Sequence, residues 1–196
     1  MKYILFLLII LAVPAHAEKI SLAQISSYLN KLGTAEANFT QFNDDKSIST
    51  GKLIIKRPGR IRFEYDLPSL ALVVVGGGQV AVFDPKANEG PTRFPLSQTP
   101  LKIILENKVD LGQENMVVGH MADGLSTILI LQDPKHPNRG AIQLIFSENP
   151  IKLRQWIVDD NEGNVTKVII EDWTEGQRIS NVLFNIQAEM QKRARQ

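Results

Sequence analysis

From residue 115 onward the chain is written as a meander, and this limits its fold more than any other feature. Met116–Met121, Leu125–Gln132, Ala141–Phe146, Ile151–Asp159, Val165–Asp172 and Asn181–Ile186 read as strands. Between them stand turn signals: Asp123-Gly124, Asp133-Pro134 through Gly140, Glu148-Asn149-Pro150, Asn161 to Asn164, and Glu175-Gly176. Strand starts about 8–14 residues apart leave no room for crossover helices, so the connections are antiparallel. Upstream, Ala37–Phe42, Lys52–Arg57, Ile61–Tyr65, Leu70–Val75 and Gln79–Phe83 add further strands. A sheet of about ten or eleven strands must curl, close or split.

Helices are few. Ser21 caps a run in which Leu22, Ile25, Leu29 and Leu32 share one face, with Gly33 as the C′ residue. A second, short helix is predicted from Thr99 as N-cap and Pro100 at the first helical position through Glu106, with Leu101, Ile104 and Leu105 on one face. Both are expected on the concave side of the sheet. Residues 86–99 read as polar and turn-rich, and the stretch from Ala188 reads as a loose basic tail.

The amino terminus has a separate purpose. Lys2, the apolar run Ile4–Val13 and Ala15-His16-Ala17 form a secretory signal, with cleavage expected after Ala17. That leaves one domain, residues 18–196. The chain has no cysteine, so an exported form must rest on its core alone and has no thiol for lipid attachment, haem or zinc. Removing Lys2 takes 22 basic residues to 21, against 21 acidic. That balance gives no electrostatic case for nucleic acid.

Gly51–Pro68, GKLIIKRPGRIRFEYDLP, is the most peculiar stretch. Pro58-Gly59 turns between two β-prone runs. Strand alternation puts Leu53, Ile55 and Arg57 on one face and Ile54 and Lys56 on the other. Two readings stay open: an edge hairpin whose charges blunt aggregation, or an arginine at the rim of an apolar surface that donates to whatever covers it.

Catalytic patterns are weak. His120 lies on an apolar strand and His136 in a proline-flanked loop, with no Gly-x-Ser-x-Gly or His-Glu-x-x-His. Glu64 and Asp66 share a strand face, but Arg60 and Arg62 share it too, against a glycosidase pair. Gly76-Gly77-Gly78 is followed by no Gly-Lys-Ser/Thr, against a phosphate loop. Trp156 and Trp173 read as core or girdle residues. No enzyme and no cofactor are predicted.

Gly51-x-Leu-x-x-Lys-Arg-Pro-Gly-Arg-x-Arg-Phe-x-Tyr-x-x-Pro68 resembles the signature of the periplasmic outer-membrane lipoprotein carrier family, LolA. Phe39-x-Gln41, Phe83-Asp84 and Thr99-Pro100-Leu101 support the likeness; Phe63 stands where tryptophan is usual. The resemblance implies an incompletely closed, strongly curved antiparallel β-barrel with a lid of short helices over an apolar cavity. By similarity, Arg57 latches the lid and Ile61 lines the acyl-chain cavity; Leu53, Ile55, Phe63, Leu101, Ile104 and Leu105 are the further candidates to line it, the alternative being that all seven form a filled core. It further implies a monomer that accepts acylated lipoproteins from an inner-membrane lipoprotein-releasing ABC transporter and passes them to an outer-membrane acceptor. The alternative is a lipid- or lipoprotein-sensing module on the same half-barrel.

Overall fold

The computed structural model describes residues 19–87, 90–113, 115–160 and 162–195. The signal segment 1–17 lies outside the described residues. Among these, eleven strands form one antiparallel sheet: β1 (Thr34–Phe42), β2 (Ile48–Lys56), β3 (Ile61–Tyr65), β4 (Leu72–Gly76), β5 (Gln79–Phe83), β6 (Thr92–Pro95), β7 (Val117–Asp123), β8 (Ser126–Gln132), β9 (Ala141–Ser147), β10 (Lys152–Asp159) and β11 (Val165–Glu175). The order is β6-β5-β4-β3-β2-β1-β11-β10-β9-β8-β7, so β6 and β7 are free edges and the barrel does not close.

Alternation decides which face is inside. On β8 and β9, Thr127, Leu129, Leu131, Ile142, Leu144 and Phe146 are buried while their neighbours are half-buried. Those inward rows join Phe39, Leu53, Ile61, Trp156 and Val168 in one apolar cluster. Helix α1 (Leu22–Lys31) completes it from the concave side. Its capping box is formed, with Ser21 Oγ accepting from Gln24 N–H and Gln24 Oε1 accepting from Ser21 N–H. Ile25 and Leu29 are buried in the cluster, each contributing about 1.5–3 kcal/mol by leaving water. Tyr28 meets Phe146 edge-on at 5.9 Å.

The β4–β5 turn needs its glycines for two different reasons. Gly77 (φ 59°) and Gly78 (φ 75°) both lie in the left-handed region, as a two-residue primed turn demands. Gly76 is different: a Cβ there would sit 2.0 Å from the carbonyl oxygen of Phe184.

Four expectations are corrected. Residues 92–95, in the stretch that reads as polar and turn-rich, form β6, an edge strand on which Pro95 removes no needed ladder bond. The short helix spans only one turn, α2 (Lys102–Leu105), with Leu101 at its N-cap position; Thr99 Oγ1 instead bonds the Leu96 carbonyl. Residues 181–186 are not a strand. Asn181–Phe184 is a 3₁₀ turn, and Asn185 then caps α3 (Ile186–Arg193).

The last correction concerns the stretch from Ala188, read as a loose tail. Helix α3 covers the convex face, where Ile186 and Met190, one helical turn apart, pack on Leu72, Val74, Ala81 and Phe83. The tail from Ala188 is therefore ordered as far as α3 runs. Arg62, nearly buried, donates to Glu64 at 2.6 Å, to the Leu183 carbonyl at 3.0 Å and to Glu189 at 3.3 Å. Arg193 Nε bonds the same Glu189 at 3.1 Å.

Burial acts to raise the Glu189 carboxyl, but the Arg193 hydrogen bond and the charge and hydrogen bond of Arg62 outweigh it and hold it below the usual range. A depressed carboxylate stabilises the docked state above its unfolded pKa, and this is lost as pH falls through the folded value. Acidification through and below the carboxylate range is expected to expose α3 before the sheet melts. Hydrogen exchange at 186–193 against β8 and β9 measures this, and equal loss in both would overturn it.

Candidate functional site

The β2–β3 hairpin is internal to the sheet, flanked by β1 and β4, so the reading of an edge hairpin is corrected. Cross-strand pairs Leu53↔Phe63 and Ile55↔Ile61 set its inner face. The turn rises from that face as a clasp. Arg57 N–H donates to the Gly33 carbonyl just beyond α1, at 2.8 Å. Gly59 N–H (φ 70°) donates to the Leu105 carbonyl at 2.8 Å, and Arg57 Nη2 to the Glu106 carbonyl at 2.5 Å. One turn thus receives carbonyls from the ends of both concave helices, groups that a helix leaves without partners of its own.

The clasp is imperfect. Arg57 Nε is buried and has no hydrogen-bond partner among the described residues. Half-buried, the guanidinium is pulled below its ordinary pKa by desolvation. Glu106, whose carbonyl it holds, forms an ion pair through its side chain with Lys102 at 3.2 Å, one turn back along α2.

Helix α1 is also tied to the segment that follows α2. Asn30 of α1 donates to the Val109 carbonyl at 2.8 Å and accepts from Val109 N–H at 2.9 Å. Ser26 Oγ accepts from Leu111 N–H at 3.1 Å. Residues 22–31 and 102–111 therefore form one connected layer over the sheet.

Beneath it, the structure brings the predicted apolar residues together. Leu53, Ile55, Ile61, Phe63, Ile104 and Leu105 are buried in one cluster, and Leu101 packs half-buried against it. In this conformation they share one cluster with Ile25 and Leu29 of α1 and act as core. Sequence reasoning missed their companions Ile103, Val109, Leu111 and Met116 from the lid segment, and the inward rows of β8 and β9. Strict alternation was the signal available for the latter. An aromatic file runs deeper: Phe39 meets Phe63 at 5.4 Å and Tyr65 at 5.1 Å, and Phe63 meets Trp156 at 6.1 Å, all edge-on. Tyr65 donates to Gln41 Oε1 at 2.7 Å, and burial pushes its hydroxyl up to about 12.

The polar groups weighed for catalysis are otherwise engaged. His120 Nε2 lies 2.9 Å from the Ile20 carbonyl. Glu64 is paired with Arg62, and Asp66 accepts from Thr50 Oγ1 at 2.8 Å. His136 sits in the β8–β9 loop beside a cleft of about 580 Å³. Among the described residues, no group of three histidine, aspartate or glutamate side chains is placed to hold a metal.

The family model described as outer membrane lipoprotein carrier protein LolA matches residues 30–187. An outer-membrane lipoprotein carrier protein of Pseudomonas putida is 32% identical over 178 residues, covering 87% of this chain and 83% of the relative. Its counterpart in Pseudomonas entomophila is 27% identical, covering 89% of this chain and 80% of that protein. The solved structure of a DUF1329 family protein from Desulfovibrio piger has a TM-score of 0.52 at 13% identity, covering 85% of this chain and 95% of that one. It speaks to the fold alone.

Proposed function

The chain belongs to the outer membrane lipoprotein carrier protein family LolA, and from that premise we propose that it carries acylated lipoproteins across the periplasm, sheltering their acyl chains between the sheet and the α1–α2 layer. In this reading it is exported on the signal ending at Ala17 and works without covalent chemistry. It takes cargo from an inner-membrane ABC release complex and yields it to an outer-membrane acceptor.

The single observation that carries the reading is the clasp over an apolar bed. A triacyl anchor with about forty methylenes is held in a bilayer by on the order of 30 kcal/mol. A carrier must offer comparable apolar surface and still let go, which asks for a lid with two states of similar energy. The Arg57 bond to Glu106 is worth about 1.5–3 kcal/mol as a hydrogen bond from a charged group, while an unmet buried donor costs about 1–3 kcal/mol. The bond exceeds that cost by at most about 2 kcal/mol, so Arg57 biases the lid towards closure without locking it. Leu53, Ile55, Ile61, Phe63, Leu101, Ile104 and Leu105 are then core when the lid is down and cavity wall when cargo lifts it.

Native mass spectrometry of the protein co-expressed with a lipoprotein tests this. A one-to-one complex with acylated cargo is expected, absent when the cargo's acylated cysteine is replaced by serine. Recovery of the protein without lipoprotein or lipid would overturn the reading in favour of a sensing module.

A further inference from the structure

We infer that Arg139 is a second latch residue, one that holds the lid across the open seam of the barrel. The inference rests on the carrier reading for its purpose but on independent geometry for its existence. Residues 96–105 follow edge strand β6, and the chain then runs to the opposite edge, β7. The break in the barrel therefore lies where the lid segment begins. Arg139, in the loop between β8 and β9, reaches over that break and donates through Nη1 to the Ser97 carbonyl at 2.9 Å. Asp133 Oδ2, 3.7 Å from the same nitrogen, steers it.

The arm that presents Arg139 is stiff. Within residues 133–140, His136 N–H bonds the Asp133 carbonyl, Arg139 N–H the His136 carbonyl and Gly140 N–H the Pro137 carbonyl, at 3.0–3.2 Å. Gly140 (φ 89°) fixes the base of the arm, since a Cβ there would lie 1.9 Å from the Asp159 carbonyl oxygen on β10. The receiving end is anchored too: Leu96 N–H bonds the Gly78 carbonyl at 2.9 Å. A rigid arm meeting an anchored 3₁₀ turn (Leu96–Gln98) gives a bond that is made or broken as a unit.

What lies under the bond gives it a role. The cleft of about 580 Å³ beside it has Pro100, Ile103 and Met116 among its lining, with Lys102, His136 and Arg139 at its polar side. Ile103 and Met116 are members of the main apolar cluster. The seam is thus a short way from solvent to the bed proposed for acyl chains, and the Arg139–Ser97 bond crosses it. Arg57 draws α2 down onto the wall of the sheet, and Arg139 holds the lid's leading end to the far wall.

Hydrogen exchange and cargo retention separate the possibilities. In Arg139→Gln, amides of residues 97–104 are expected to exchange about tenfold faster, the scale of one lost charge-assisted bond. Those of β8 and β9 should stay as in the parent, and Arg139→Lys should recover part of the protection because an ammonium can still donate to one carbonyl. Unchanged exchange at 97–104, or equal acceleration across β8 and β9, would overturn the latch. With a co-expressed lipoprotein, Arg139→Gln is expected to retain more cargo in native mass spectra than the parent, and unaltered retention would overturn its role in cargo exchange. If neither protein holds lipoprotein, the carrier reading falls, and the exchange data on the cargo-free protein still decide the latch.

Discussion

Arg57→Leu is expected to shift the protein towards its cargo-bound form, with the bound-to-free ratio in native mass spectra rising five- to thirtyfold. The argument is a difference between two states. With the lid down, the guanidinium gives one bond to Glu106 and hides an unmet Nε donor. Leucine removes both. The bond outweighs the orphan by about 1–2 kcal/mol if the lid prefers to close, and that is the factor lost. The substitution is clean because the two other bonds of the clasp, Arg57 N–H to Gly33 and Gly59 N–H to Leu105, are made by backbone and survive it. Arg57→Lys should fall between, since an ammonium can still reach one carbonyl but on a flexible stem without the preorganised fork. Equal cargo in parent and leucine variant would discard Arg57 as a latch while leaving the carrier reading intact.

Gly51→Ala is expected to destabilise the sheet strongly. Gly51 faces Tyr65 on β3 and Phe39 on β1, two inward aromatic positions. A Cβ there would stand 2.1 Å from the Glu64 carbonyl oxygen and 2.8 Å from the Phe39 ring. The ring could turn aside, but the oxygen belongs to a ladder paired on both sides and cannot. Overpacking of this kind costs about 3 kcal/mol, which for a chain of this size lowers Tm by roughly 6–12 °C. A thermal melt within about 2 °C of the parent would show that the sheet yields there more readily than its pairing suggests.

These two sites show what could be read from the residues alone. The strand meander was legible because alternation is unambiguous where one face is buried, as in Leu129, Leu131, Ile142 and Leu144. The apolar row ending in Arg57 was legible for the same reason. Its partner was not: the acceptor is the backbone carbonyl of Glu106, and no side-chain pattern marks a carbonyl.

The misses have equally local causes. β6 is short, polar, at an edge and carries Pro95, so it lacks every strand signal except its neighbour. Around residue 184, Val182, Phe184 and Ile186 fit a period of two, while Ile186 and Met190 fit a helical turn. The Asn185 cap settles the matter, through a hydrogen bond to Ala188 N–H. The convex position of α3 depended on Leu72, Val74, Ala81 and Phe83 offering an apolar outer face, which a both-sides-apolar run such as Leu70–Val75 leaves undecided.

The bonds of the Arg57 clasp and of Arg139 end on main-chain oxygens: those of Gly33, Leu105, Glu106 and Ser97. A grip on the backbone does not read the letters of the segment it grips. The outward side chains of residues 97–106 can therefore be exchanged with little effect on closure, provided the chain keeps its path and its apolar underside. The lid is in that sense a replaceable part. An engineer could retune what it presents to arriving cargo while leaving the fastening untouched.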